Sequence, residues 1–113
     1  MTHAIQVVTA LDSREQADAL ATALVERRLA ACVQCLGPIT STYRWLGAIE
    51  KGEEWLCVIK PLADTWSQLE QAIRELHPYE VPEILRMDVD AGNRDYLAWL
   101  RDAVAAPEPR RVV

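Results

Sequence analysis

Three groups of residues in this chain are of types that do chemistry. Cys32-Val33-Gln34-Cys35 is a C-x-x-C string, a spacing used in thiol exchange and in zinc sites. His77 is followed by Glu80 and Glu83, an imidazole and two carboxylates within one short loop stiffened by Pro78 and Pro82. Imidazole and thiolate suit copper, zinc or nickel and carboxylates suit harder ions, so His77, Glu80 and Cys32 are the candidate metal ligands. Lys60 closes an apolar run before Pro61. With Tyr43, Trp45, Cys32, Tyr79 and Glu80 it can line a polar and aromatic pocket between subunits, suited to a small anion or metabolite as readily as to a metal. Each candidate also has an ordinary structural explanation. The C-x-x-C string follows a helix and opens a strand, where positions i and i+3 point to opposite faces. Zinc also wants four ligands, and no second Cys or His pair exists. Packing is therefore the expectation for these thiols and for Cys57. His77 can cap a helix C-terminus, and Lys60 can extend its amine to solvent.

The elements that position these residues are legible from periodicity. Ile5-Gln6-Val7-Val8-Thr9 is apolar and β-branched, the pattern of a buried strand. Asp12 and Ser13 offer an N-cap, with Glu15 and Gln16 at capping-box offsets. Ala17, Leu20, Ala21, Leu24 and Val25 then recur at helical spacing, with Arg27 and Arg28 expected in the last turn. From Ala31 to Lys60 the period becomes two, a long hairpin bent near Pro38, with its turn expected at Glu50-Lys51-Gly52-Glu53. That turn places Trp45 and Trp55 opposite each other as a cross-strand pair that packs between subunits. A second helix is expected from a Thr65-x-x-Gln68 capping box to Leu76, with Trp66, Leu69, Ile73 and Leu76 inward; Pro78 ends it. A strand over Glu83–Val89 and a third helix capped by Asn93, with Trp99 in the core, complete the chain. The order is the split β-α-β, ferredoxin-like arrangement of an α+β fold, with an extra C-terminal helix.

The totals agree with one domain over residues 1–106, followed by a charged, Pro-rich tail, 107–113, expected to be frayed. Net charge is −5 and no basic run exists, which argues against a nucleic-acid partner. No apolar run reaches the roughly 20 residues that span a bilayer. The N-terminus lacks the charged and apolar regions of a secretory signal, and the odd count of three cysteines argues against a closed disulfide framework. The expectation is a cytoplasmic protein with reduced thiols. No nucleophile–base pair or Gly-rich phosphate loop points to an enzyme.

Four segments carry a family resemblance. Leu29-Ala30-Ala31-Cys32-Val33 is similar to the "LAACV" segment of the CutA (divalent-cation tolerance) family. Thr40 to Glu50 resembles its "TSxYxWxGxIE" hairpin, and His77 to Glu83 its "HPYExPE" loop; Tyr96 to Leu100 matches a further C-terminal signature. The resemblance implies a homotrimer of ferredoxin-like subunits locked by paired hairpins, an architecture similar to the PII signalling proteins. It also implies tolerance to divalent cations, with copper the usual ion. Val8 and Leu76 stand where some members carry a Cys and a second His. The rival reading is a PII-like trimer that binds a metabolite through Lys60, Tyr43 and Glu80.

Overall fold

The computed structural model describes residues 3–104, so the expected tail, 107–113, lies outside the described residues. Strand β1, Ile5–Leu11, buries Ile5, Val7, Thr9 and Leu11 on one face, as pleating requires. Helix α1, Arg14–Glu26, starts at Ser13, whose hydroxyl accepts from the Gln16 backbone N–H at 3.1 Å. It ends in a Schellman motif: Leu29 N–H bonds the Leu24 carbonyl, Arg28 N–H bonds that of Val25, and Arg28 has φ 57°. Arg27 and Arg28 therefore lie past the helix and not in its last turn, and the Arg28 guanidinium reaches the Ala103 carbonyl instead.

Strand β2, Cys32–Trp45, returns as β3, Ala48–Lys60. The turn is Leu46-Gly47, not Glu50–Glu53. Its φ values of 50° and 81° are those of a type I′ turn, which matches the right-handed twist of the two strands. Residues 50–53 are polar because the outer half of the hairpin is exposed, and they pair in β3: Tyr43 with Glu50, Thr42 with Lys51, Ser41 with Gly52. The early turn also changes the aromatic pairing. Trp45 faces Ala48 and Trp55 faces Leu11, so the expected Trp45–Trp55 pair does not form. Trp55 packs against the register shift at Gly37-Pro38, where a Cβ on Gly37 would overlap its indole ring.

A 3₁₀ turn, Ala63–Thr65, leads into helix α2, Trp66–Leu76. The Thr65 hydroxyl donates back to the Leu62 carbonyl at 3.2 Å, so the expected Thr65–Gln68 box is not made. Strand β4 is short, Leu85–Asp88, and helix α3, Arg94–Val104, is capped as expected by Asn93, whose Oδ1 accepts from Tyr96 N–H at 3.0 Å. The sheet order is β2-β3-β1-β4 with antiparallel pairs throughout, the ferredoxin-like arrangement.

Helices α1 and α2 cover one face of this sheet. Leu20, Leu24, Leu69 and Ile73 meet Ile5, Val7, Leu11 and Ile59, each side chain contributing about 1.5–3 kcal/mol by its burial. A satellite cluster of Leu62, Leu100 and Val104 seats α3. Trp66 lies at the core margin beneath Arg86. Trp99 is exposed and not in the core: the inward stripe of α3 is Leu100 and Val104, and Trp99 stacks beside Tyr96 on its outer side. The other face of the sheet carries Val8, Leu36, Leu56, Val58, Leu85 and Met87 by strand alternation. That face is apolar and no helix of the described chain covers it; Leu36 is 52% exposed and Leu85 57%.

Gly37→Ala is expected to lower stability by about 1–3 kcal/mol, because the new methyl displaces the Trp55 ring from the bulge. Urea unfolding measures it, and an unchanged midpoint would show that Trp55 does not rely on the bare backbone at Gly37.

Candidate functional site

The sequence places Pro78 after α2, which forces His77 out of the helical region; its φ and ψ are −80° and 135°. This turns the imidazole inward beneath the end of β1. His77 Nε2–H donates to the Ala10 carbonyl at 2.8 Å, while Nδ1 accepts the Tyr79 backbone N–H at 3.1 Å. The two partners fix the Nε2–H tautomer. Both ring nitrogens are thereby engaged, and the ring is 7% exposed. Burial holds its pKa below the ordinary 6.5, against the opposing pull of the Ala10 carbonyl and of Asp12 and Glu54. The expected metal ligand is a neutral structural pin with no free lone pair. It differs from the anticipated cap in reaching a strand carbonyl and not the last carbonyls of α2.

The pin continues through Tyr79. Its ring lies 4.7 Å from the imidazole, edge on, and its hydroxyl donates to Glu54 Oε2 at 2.7 Å. Burial first, then the Glu54 carboxylate, keeps that phenol protonated well above its usual range. Ala10, His77, Tyr79 and Glu54 thus tie β1, the loop after α2 and β3 together, and hold open a cleft between that loop and the hairpin.

The cleft has a volume of about 910 Å³. Tyr43, Trp45 and Tyr79 line it, as the sequence predicts, together with Glu80. Asp12, Glu53, Glu54 and Glu83 add four more carboxylates, and no Lys or Arg is among the described lining residues. Lys60 is not there. It pairs with Cys32 at the far end of the β2–β3 ladder, so neither residue joins His77 or Glu80. Among the described residues no three His, Cys, Asp or Glu side chains converge as a metal cage, so the set His77, Glu80 and Cys32 is not brought together. Lys60 is absent from the lining of this cleft within one chain, and the carboxylates of that lining would repel an anion. Sequence reasoning missed Asp12, Glu53 and Glu54; Glu53 had been assigned to the turn, and only the correct register brings it to the cleft wall.

His77 gives a pH prediction. Above pH 6.5 the ring is neutral in both folded and unfolded chains and its bonds are fully effective. As pH falls below 6.5 the unfolded chain takes the proton first, so stability drops, by at most about 1.4 kcal/mol per pH unit, until the folded protein also protonates. In His77→Gln this component is expected to be missing from denaturation curves at pH 7 and pH 5; an equal acid loss in both proteins would contradict the pin.

Comparison with known proteins agrees with this geometry. Residues 5–103 match the family model "CutA1 divalent ion tolerance protein". A divalent-cation tolerance protein CutA of Thermus thermophilus is 43% identical over 96 residues, 85% of this chain and 93% of the relative. The human protein CutA is 45% identical over 82 residues; the match covers 73% of this chain and about half, 46%, of that longer relative. Among solved structures, the Thermus thermophilus protein superposes with a TM-score of 0.87 at 40% identity, covering 90% of this chain and 99% of that one. CutA1 of the psychrotrophic bacterium Shewanella sp. SIB1 gives 0.89 at 34% identity, with 92% and 97% covered. The ferredoxin-like sheet, the long hairpin and the loop from His77 to Glu83 are thus those of a known group, and the chain belongs to the CutA1 divalent ion tolerance family.

Proposed function

We propose that this chain acts in divalent-cation tolerance as a cytoplasmic, non-enzymatic homotrimer that attracts hydrated divalent cations into the carboxylate-lined cleft. The observation that carries this reading is the lining itself: Asp12, Glu53, Glu54, Glu80 and Glu83 with no cationic side chain among them. Such a wall, partly shielded from solvent by Tyr43, Trp45 and Tyr79, focuses a negative potential on one open volume. His77 and Cys32 do not fit an inner-sphere copper site with Glu80, since one is engaged at both nitrogens and the other is remote. The carboxylates fit a cation that keeps most of its water. For any fixed set of N, O or S donors, Cu²⁺ binds most tightly of the first-row divalent ions, which makes copper the preferred ion at modest affinity.

The trimer is supported by what one chain leaves uncovered. A two-stranded ribbon is marginal alone, and an apolar sheet face of this kind calls for a partner. Three copies packing those faces together would bury Leu36, Leu56 and Met87; the family resemblance supplies the number three.

Light scattering is expected to give three times 12.7 kDa for the wild type and a smaller species for Leu36→Glu. A monomeric wild type would sink the trimer. Calorimetric titration with Cu²⁺, Zn²⁺ and Mg²⁺ is expected to rank copper first. Glu80→Gln and Glu83→Gln should each weaken binding by on the order of five- to tenfold, more at low salt. Affinities untouched by both changes would remove the cleft from consideration.

A further inference from the structure

The family reading leaves two thiols unused. Cys35 on β2 and Cys57 on β3 are direct cross-strand partners, and their sulfurs lie 3.4 Å apart. Both point to the helix-covered face, each within 3.9 Å of the Ala17 carbonyl of α1. Cys35 is exposed at the edge of the sheet, whereas Cys57 is fully buried. Thr9 of β1 is the next residue along the same row, paired with Cys57 from the other side. Its hydroxyl is buried and is the one side-chain oxygen or nitrogen of that kind without a hydrogen-bond partner among the described residues.

We propose that Cys35 and Cys57 form a reversible intramolecular disulfide, a modification site that staples β2 to β3 beneath α1. The ladder already holds the two backbones in register, so closing from 3.4 Å to a bond of about 2.05 Å needs side-chain rotation and little backbone movement. The division of roles follows from exposure. A small disulfide oxidant reaches Cys35 at the edge, and Cys57 resolves from inside. In the first step the Cys35 thiol attacks the oxidant RS–SR; Cys35–S–SR forms and one RSH leaves with the proton. In the second the Cys57 sulfur attacks the Cys35 sulfur, the Cys35–SR bond breaks, and a second RSH carries off the Cys57 proton. Two protein thiols are oxidised by two electrons and one disulfide is reduced to two thiols. Burial makes Cys57 a reluctant thiolate, its pKa pushed far above the ordinary value, so the second step is the slow one. Thr9 is paired in register with Cys57 and its hydroxyl makes no hydrogen bond in the resting chain, so a turn about its side-chain torsion would bring a donor toward the Cys57 sulfur as the proton departs. In a reducing compartment the bond forms only when the disulfide pool rises, and reverses with it.

This differs from the C-x-x-C reading of the sequence: the partner of Cys35 is Cys57, not Cys32. Cys32 pairs with Lys60, three positions further along the ladder.

The test uses the full-length protein carrying Cys32→Ser, treated with oxidised glutathione. Free thiols are expected to fall from two to none, with the intact mass lower by two hydrogens. A tryptic map without reductant should join the Cys35 peptide to the Cys57 peptide, and dithiothreitol should restore both thiols. Cys35→Ser, altered only at the exposed edge, should keep the Cys57 thiol unmodified under the same treatment. Thr9→Val should leave the first step unchanged and slow closure, so that the glutathione adduct accumulates. A glutathione adduct on Cys35 that persists with Thr9 intact, or two thiols still free at equilibrium in excess oxidised glutathione, would overturn the proposal.

Discussion

The long β2–β3 ladder is the constraint on which the other features rest. Its register is set at two points: the type I′ turn at Leu46-Gly47 and the bulge at Gly37-Pro38. A slip of one residue would exchange the two faces of one strand relative to the other. It would take Cys57 and Ile59 out of the core and put Val58 and Leu56 under the helices. The same slip would move Glu53 and Tyr43 away from the cleft. Fold, candidate site and thiol pair therefore share one alignment, and Gly37 protects it by leaving room for Trp55.

The ladder also explains why the sheet is two-sided in character. On the helix side the row Val33, Ile59, Val7 belongs to a packed core. On the other side the row Leu36, Leu56, Ala10 is equally apolar, but no helix among the described residues covers it and Leu36 stands exposed. A chain this short, half of it hydrophobic, has more apolar material than one core consumes. The surplus sits on one sheet face and along the outer hairpin, where Leu46 and Ile49 stand in solvent. The proposed trimer would dispose of both surfaces.

The sequence made most of the elements legible because their signals are local. Ser13 and Asn93 bond as caps, and the buried alternation of β1 is plain from Ile5, Val7 and Thr9. The hairpin turn was misplaced because a Glu-Lys-Gly-Glu stretch has turn composition, whereas Leu46 in a left-handed conformation is a poor turn signal. Nothing in the spacing of Trp45 and Trp55 reveals where the turn falls, so their pairing failed with it. Trp99 was assigned to the core from periodicity alone, but two inward positions one turn apart, Leu100 and Val104, are enough to seat a short helix. At the site, Tyr43, Trp45, Tyr79 and Glu80 were legible as a polar-aromatic group. Lys60 and Cys32 were not separable from them in sequence, because their distance from the cleft is a consequence of strand length. The roles of His77 depended on two backbone partners, Ala10 and Tyr79, and one of these is invisible to any motif.

The cleft is the proposed cation site, and its occupancy is directly observable. Amide spectra of isotopically labelled protein, recorded as substoichiometric Mn²⁺ is added, report which residues lie near a bound paramagnetic ion. A cation drawn in by the carboxylate wall would broaden the signals of Asp12, Glu53, Glu54 and Glu80 to Glu83 first, and added Mg²⁺ would restore them. Broadening centred on Cys32, on the exposed His3–Asp88 pair, or spread evenly over the acidic surface would contradict the assignment of the cleft as the cation site.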